Sequence, residues 1–451
     1  MENSNYNHTN IEKEIYNYWE KNNFFKPKKN NKKHFSIVIP PPNVTGSLHM
    51  GHALNNSLQD LLIRFYRMNG YETLWQPGTD HAGIATQAVV EKKLLEKGIK
   101  KDQLGREKFI NEVWKWKKDS GDQILNQLKK LGCSCDWSRN RFTMDKDLSD
   151  AVTKTFIKLY NNKIIYKDTK LVNWDTKLET AISDLEVEQK EVQSNLYYIK
   201  YKIENSDNFI TIATTRPETM LGDTAVAVNP NDERYKNLVG KKIKIPISNR
   251  IVNIIADTYV SIEQGSGALK VTPAHDFNDF EIGKRHKLEF INIFEKDGTL
   301  NNNVPKEFVG IDRFEARTKV IKLLKENNLL EKIENIKNSI PYGDRSNSII
   351  EPLLTEQWFA NAKFLSKQAI QLVKKGETNF FPKNWSKTYF DWMNNIQPWC
   401  ISRQLWWGHR IPAWYSKDKK IFVAENETEA NKIAKKYYKK EVELKRDEDV
   451  L

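Results

Sequence analysis

A short apolar strand that runs into three prolines and then a helix constrains this chain more than any other feature. His34 to Ile39 has the pattern of a buried strand, and Pro40-Pro41-Pro42 ends it because proline has no N–H to donate to a sheet. After Gly46 the pattern predicts a helix to about Met68, ended by Asn69-Gly70. Strand, irregular turn and helix are the opening unit of an open sheet, so the sequence predicts an α/β fold.

Two changes of texture further along predict the domain organisation. From about Leu171 the chain consists of short β-branched runs separated by turn residues, which is typical of a compact β-rich domain of sandwich or barrel type. From about Ile340 it becomes rich in tryptophan. We therefore predict an α/β domain interrupted by a β-barrel-like insertion, with domains over residues 1–170, 171–340 and 341–451.

Length and composition favour a protein of more than one domain in a reducing compartment. The chain has 451 residues and 3 cysteines, and its start lacks the basic cap and apolar core of an export signal. No stretch approaches the roughly 20 apolar residues of a membrane span. We predict a cytoplasmic protein that acts as a monomer and has no membrane partner.

The net charge leaves two explanations open. Lys and Arg number 72 against 59 Asp and Glu, a net charge of +13, which suits a polyanionic partner such as nucleic acid. Lysine far outnumbers arginine, and asparagine and isoleucine are abundant, as an AT-rich genome alone would produce.

Two histidines three residues apart, His49 and His52, mark the start of the predicted helix. They lie beside backbone amides that have no partner within the helix, an arrangement that suits phosphate oxygens and the charge that builds on a phosphate under attack. Gly51 between them leaves room for the base or ribose of a ligand. A pair of packed histidines or a helical metal pair are the alternatives that this motif alone leaves open.

The residues around the histidine pair closely resemble class I aminoacyl-tRNA synthetases, in the form of the valyl branch of that family. The resemblance runs from the first helix to the last residue. It rests on Pro40–Ala53, Gly78–Gln87, Leu131–Arg139, Leu171–Trp174, Ser183–Glu188 and Ile401–Tyr415. Isoleucyl and leucyl enzymes share the histidine pair, but their approach to it is less rich in proline and lacks Asn43-Val-Thr-Gly46. The isoleucyl type is the nearest alternative.

The resemblance implies a Rossmann-type catalytic domain that joins valine to ATP, with Mg²⁺, and passes valine to tRNA(Val). His49 and His52 would be catalytic, Asp80 would neutralise the ammonium of valine, and His81 would be a ribose contact or a packed histidine. The implied ATP-binding residues are Thr45, Gly46, His49, Gly51 and His52. The implied amino-acid-binding residues are Pro41, Asn43 and Asp80.

Two polar segments in the predicted insertion, Thr214–Thr219 and Gly267–Asp279, place charged and hydroxyl groups on loops at strand ends. Ordinary turn chemistry explains one such loop, but two together suggest a polar pocket. Both resemble the editing domain of valyl, isoleucyl and leucyl enzymes. The resemblance implies hydrolysis of mischarged threonyl-tRNA(Val) by an attacking water. Arg216, Lys270, Thr272, Asp276 and Asp279 would line the pocket, and Thr214, Thr215 and His275 would border the ester.

The roles of the two aspartates stay open, with Asp276 assigned to the ammonium and Asp279 to the threonine hydroxyl.

Some valyl enzymes bind zinc through Cys-x-x-Cys pairs, but the matching places here are Asp175–Leu178 and Tyr342–Ser346, so we predict no structural zinc. The family continues into a lysine-bearing KMSKS loop that has no counterpart in this sequence. We therefore expect editing without complete aminoacylation.

Two other classes of protein are less consistent with the motifs. A stand-alone RNA-binding or trans-editing deacylase would have lost His49, His52 or Asp80, and all three are present. A nucleotide-dependent oxidoreductase would carry Gly-x-Gly-x-x-Gly after the first strand, and that pattern is missing.

Overall fold

The computed structural model describes residues 8–28 and 33–451. The chain divides into two compact units, the chain up to Asn162 together with Leu405–Leu451, and Lys163–Gln404. The second unit is wider than the predicted 171–340 insertion because strands at its two edges pair with each other, from Trp174 opposite Glu351 to Ile165 opposite Ala360. The domain boundaries by function stay a prediction.

The first unit is an α/β body. Its helices are α1 His8–Lys21, α2 Met50–Met68, α3 Gly83–Glu96, α4 Lys101–Leu104, α5 Arg106–Lys130, α6 Lys146–Asn161 and α11 Glu427–Tyr438. Its strands are β1 His34–Val38, β2 Glu72–Gln76, β3 Gly78–Thr79, β4 Arg141–Phe142, β16 Ala413–Tyr415, β17 Ile421–Val423 and β18 Lys445–Arg446.

The parallel strands β1 and β2 are joined by α2, and no residue of β1 is buried, in contrast to the buried strand predicted there. The register runs from His34 opposite Glu72 to Val38 opposite Gln76. Trp75 and Trp407 are buried in the core that lies beneath, together with Phe109 of α5. Apolar side chains at helical spacing explain why α2 forms, but much of its apolar face is exposed. The exposed side chains are Met50, Leu54, Leu58, Leu61, Leu62, Phe65 and Met68.

The second unit is dominated by β-sheet. Its strands are β5 Ile165–Asp175, β6 Thr180–Ile182, β7 Val187–Ile203, β8 Phe209–Thr214, β9 Ala225–Val228, β10 Lys242–Lys244, β11 Ile251–Ala256, β12 Ala268–Val271, β13 Leu330–Gly343, β14 Glu351–Ala360 and β15 Trp399–Cys400. Its helices are α7 Phe277–His286, α8 Arg313–Glu326, α9 Ala362–Lys374 and α10 Trp385–Asn394.

The larger sheet of this unit curls into a nearly closed barrel. Its strands follow the order β12-β9-β11-β10-β7-β13, with β8 also paired to β7, and β8 comes close to β12. Every residue of β9 is buried, as expected for a strand covered on both faces. The predicted α/β class with a barrel-like sheet is confirmed. Within the described ranges no helix is long and apolar enough to cross a membrane.

Candidate functional site

The predicted histidine pair forms the N-terminus of α2. His49 is the N-cap residue with extended backbone, and its Nδ1 accepts the N–H of Gly51 at 3.1 Å. The N–H of His49 in turn donates to Nδ1 of His52 at 3.3 Å. The two ring centroids lie 4.0 Å apart. The spacing His-x-x-His therefore closes a reciprocal cap, with each ring turned toward the helix start.

This cap decides which ring nitrogens donate. Because Nδ1 of each ring accepts a backbone N–H, the proton of each neutral imidazole is on Nε2. Partial burial, and next to it the neighbouring His49, lower the pKa of His52, which favours its neutral form near pH 7. Two N–H donors beside the positive end of a helix make a site for an anion.

Gly51 is required by the histidine pair itself. A Cβ atom at this position would lie 2.9 Å from Cε1 of His49, closer than real side chains approach. Thr45 and Gly46, on the turn before α2, are half-buried. The turn is tied to α5, because Nε1 of Trp116 donates to the carbonyl of Val44 at 2.8 Å.

The predicted amino-acid residues Asn43 and Asp80 lie side by side. They form an isolated parallel bridge, in which the N–H of Asp80 donates to the carbonyl of Pro42 at 2.8 Å. Oδ1 of Asp80 accepts the N–H of Ala82 at 2.7 Å, which holds the carboxylate while leaving it 34% exposed. Pro41 is exposed on the same segment. A half-exposed, oriented carboxylate suits an ammonium ligand.

His81 fits the packed alternative. Its Nδ1 lies 2.7 Å from the hydroxyl of Thr143, and its carbonyl accepts Nε1 of Trp407 at 2.8 Å. Burial lowers the pKa of His81 to about 4, so the ring is neutral near pH 7. The ring also approaches His409, with centroids 5.2 Å apart.

Replacing His49 tests whether its side chain caps α2. We expect His49→Ala to lower the opening free energy of α2 by about 1 kcal/mol, because one N-terminal N–H loses its acceptor, and His49→Asn to keep most of it. Hydrogen exchange of peptides from α2 measures both. Equal losses in the two variants would show that the ring does not cap the helix.

The segment Thr214–Thr219 is fixed by a buried group of charges. Nε of Arg216 donates to Glu218 at 3.3 Å, and its other nitrogens donate to Glu351 of β14 and to the carbonyl of His275 at 3.1 Å. Glu218, fully buried, also accepts two bonds from Arg317 at 2.7 and 2.8 Å. Arg216 therefore ties together the two predicted loops.

The second loop brings Lys270, Thr272 and Asp279 together. Lys270 is on β12 and Thr272 follows that strand, so their side chains lie on one face and Lys270 Nζ donates to Thr272 Oγ1. Oδ2 of Asp279, in the first turn of α7, accepts the N–H of Thr272 at 2.8 Å. All three residues are buried, and Lys270 and Thr272 also bond Asp223, a residue that the motifs did not indicate.

The two predicted aspartates of α7 have different surroundings. Asp276 is exposed and caps the helix, with Oδ1 accepting the N–H groups of Asn278 at 2.8 Å and Asp279 at 3.1 Å. Asp279 is buried, and burial, followed by the charge of Asp276, raises the pKa of its carboxyl to about 7. Only Asp279 is held against the Lys270 and Thr272 pair.

Of the residues expected to border the ester, Thr214 and His275 are buried and Thr215 is half-buried. Oγ1 of Thr214 accepts the N–H of Arg216 at 3.0 Å, and Thr215 is half-buried beside it. His275 is buried, its Nε2 accepts the N–H of Ile293 at 2.9 Å, and its ring lies against Phe294. Burial lowers the pKa of His275 well below its usual value, so this ring is neutral.

Comparison with known proteins identifies the family. A family model of tRNA synthetases class I (I, L, M and V) matches residues 14–451. The chain belongs to the class I tRNA synthetases. Among curated relatives of this synthetase chain, the valine–tRNA ligase of Pelagibacter ubique is 68% identical over 451 residues, 100% of this chain and 51% of that protein. That of Bradyrhizobium diazoefficiens is 54% identical over 492 residues, 99% of this chain and 51% of that protein.

The resemblance to the valyl branch is confirmed by these relatives, and the chain spans about half the length of the curated relatives it matches. A solved structure, the Agrobacterium radiobacter K84 LeuRS-tRNA-LeuAMS ternary complex, is 18% identical, and the match covers 93% of this chain and 52% of that chain at a TM-score of 0.44. That likeness is too weak to carry a conclusion about this synthetase chain.

Asp223 and Glu351 are polar residues of this synthetase chain that motif analysis missed. Asp223 has a local signal, since it is an acid set between Gly222 and the apolar strand Ala225–Val228. Glu351 has none, because it lies far from Arg216 in the chain and only the fold brings the two side chains together. Within residues 8–28 and 33–451, no group of three or more His, Cys, Asp or Glu is placed to hold a metal ion. The expectation about zinc stays a prediction.

Proposed function

We propose that this chain carries the ATP and valine contacts of a valine–tRNA ligase and, complete within it, the site that hydrolyses threonyl-tRNA(Val). The single observation that carries the assignment to valine is the 68% identity to a valine–tRNA ligase over the whole of this chain. The burial of Lys270, Thr272 and Asp279 in one hydrogen-bonded cluster supports the hydrolytic part.

The geometry at α2 supports the proposed activation of valine. The ATP phosphates bind at the N-terminus of α2, where His49 and His52 each offer an Nε2–H donor, and Asp80 pairs with the ammonium of valine. Mg²⁺ enters with ATP and neutralises part of the phosphate charge. As negative charge builds on the α-phosphate during attack by the valine carboxylate, the two imidazoles and the helix amides stabilise it.

The proposed hydrolysis is needed because an apolar pocket distinguishes threonine from valine only weakly. Threonine is nearly isosteric with valine, so an apolar pocket rejects it weakly, and valyl enzymes are the standard illustration of this limit. A polar pocket with Lys270, Thr272 and Asp279 bonds the threonine hydroxyl and leaves valine with unpaired polar neighbours. The aminoacyl ester is already activated, so an oriented water attacks it without a protein nucleophile.

We propose that full aminoacylation also uses the part of the relatives' length that this chain does not match. The relatives are about twice as long, and α2, which carries both histidines, exposes the apolar side chains of Leu54, Leu58 and Phe65. Exposed apolar surface of this extent on a helix is typical of a face that another segment covers. We propose that the additional length of the relatives covers α2 and supplies the KMSKS lysine.

Two assays test the proposal on this chain and on the full-length Pelagibacter ubique relative. We expect both proteins to hydrolyse preformed threonyl-tRNA(Val) and to spare valyl-tRNA(Val), and only the longer one to catalyse valine-dependent exchange of pyrophosphate into ATP. Isoleucine-dependent exchange by the relative serves as the specificity control. Failure of this chain to hydrolyse threonyl-tRNA(Val), while the relative does so, would overturn the proposal for the hydrolytic site.

A further inference from the structure

Asp223 is a fully buried carboxylate at the centre of a polar network in the barrel-like sheet. Its Oδ1 accepts bonds from Lys270 Nζ at 3.3 Å and from Thr272 Oγ1 at 2.6 Å, and its Oδ2 accepts the hydroxyl of Tyr201 at 2.7 Å. All four residues are buried. The carboxylate therefore contacts two of the residues assigned to the hydrolytic pocket.

Sheet pairing sets this geometry. Asp223 stands just before β9, and the N–H of the next residue, Thr224, donates to the carbonyl of Val271 on β12 at 3.0 Å. Lys270 and Thr272 flank Val271, so their side chains share one face, and both bond the Asp223 carboxylate. Gly222 permits this approach, because a Cβ there would lie 3.2 Å from Cγ2 of Thr272.

The hydrogen-bond donors of Lys270 and Thr272 show what the Asp223 carboxylate does in this network. The Lys270 ammonium has three N–H donors, of which Asp223 and Thr272 take two. The Thr272 hydroxyl donates its one proton to Asp223. The carboxylate thus fixes the direction of the third ammonium proton and leaves a lone pair of the Thr272 oxygen as an acceptor. Burial of a cation in this way needs a paired anion.

We propose that Asp223 is a positioning residue of the hydrolytic site, which holds the Lys270 ammonium and the Thr272 hydroxyl in the orientation that recognises threonine. This inference rests on the proposed hydrolysis of threonyl-tRNA(Val). Asp223 itself does not touch the substrate; it acts through Lys270 and Thr272.

A mutant cycle tests this role on this chain. We expect Asp223→Asn to lower kcat/KM for threonyl-tRNA(Val) about 30-fold, as for loss of a hydrogen bond to a charged group. Lys270→Met combined with Thr272→Val should lower it at least as far, and adding Asp223→Asn to that pair should slow hydrolysis no further, because Asp223 acts only through those two side chains. If adding Asp223→Asn multiplies the loss, Asp223 acts independently of Lys270 and Thr272 and the inference is wrong.

A matched control and a second variant separate other outcomes. Asp232→Asn changes another ion-paired carboxylate of this unit, which bonds Arg234, and should leave hydrolysis within about 2-fold. If Asp223→Asn does not fold, Asp223→Leu is added to Lys270→Met with Thr272→Val, which removes both buried charges, and a rate more than 5-fold below that of the Lys270→Met, Thr272→Val pair overturns the inference. Absence of hydrolysis by the unaltered chain refutes the proposed function instead, whereas normal hydrolysis by Asp223→Asn refutes only the role of Asp223.

Discussion

We expect Asp279→Asn to lower the rate at which this chain hydrolyses threonyl-tRNA(Val) about 100-fold, the size typical of losing one group aimed at a reacting substrate. Asp279 is the buried carboxylate of the pocket, and its Oδ2 already accepts the N–H of Thr272. Asparagine keeps that backbone bond through its amide oxygen but cannot carry the negative charge. Single-turnover deacylation of preformed threonyl-tRNA(Val) measures the loss.

The pH dependence of stability provides the control that Asp279→Asn is folded. The pKa of the Asp279 carboxyl is about 7 in the folded chain, against 3.8 for an unperturbed aspartate. Between these values the folded state keeps the proton and the unfolded state loses it, so this group's contribution to stability is fully present below about pH 4 and is lost as the pH rises to about 7.

The variant should lack this decline, and near pH 7 it should therefore unfold no more easily than the unaltered chain. Denaturant titrations at several pH values give the comparison. Intact deacylation by Asp279→Asn, or by Asp279→Ala, would refute the assignment of Asp279 to the threonine hydroxyl. Loss of deacylation together with loss of folding would show that the residue is structural.

We expect Glu218→Gln to lower the opening free energy of the second unit by about 3 to 5 kcal/mol, the cost of breaking a buried ion pair by removing one partner. Glu218 is fully buried and bonds both Arg216 and Arg317, so its removal leaves two cations short of their anion. Both arginines also lose a bond geometry that glutamine cannot reproduce, because its amide nitrogen donates instead of accepting.

Hydrogen exchange of peptides covering 209–222 and 351–360 measures this effect. The matched control is Glu281→Gln, which alters an exposed ion pair with Lys284 and should change stability by less than about 0.5 kcal/mol. Because Arg216 also binds the carbonyl of His275, Glu218→Gln should slow hydrolysis as well. A loss below about 1 kcal/mol would mean that Glu351 alone holds Arg216.

Local sequence predicted the elements whose patterns are self-contained. The helix expected to end near Met68 spans Met50–Met68, and the short β-branched runs expected after about Leu171 form strands. These patterns succeed because turn residues and apolar periodicity act over a few residues. The spacing of His49 and His52 likewise indicated a shared helix start.

Long-range partners were beyond local patterns. No spacing rule links Glu351 to Arg216, since their contact depends on which strands pair, and Asp223 carries no motif of its own. That Arg216 lines a pocket stays a prediction, and its bonds to two carboxylates and a carbonyl were not expected from its motif.

The sequence by itself determined the α/β class, the barrel-like insertion, the resemblance to class I synthetases and the residue types of both candidate sites. Those features depend on patterns and motifs within short stretches of consecutive residues. Only the tertiary structure decided the electrostatic state of each side chain, because burial and charged partners come from segments far apart in the chain. Asp276 and Asp279 illustrate the difference: three residues apart in one motif, one is an exposed helix cap and the other a buried carboxyl with a raised pKa.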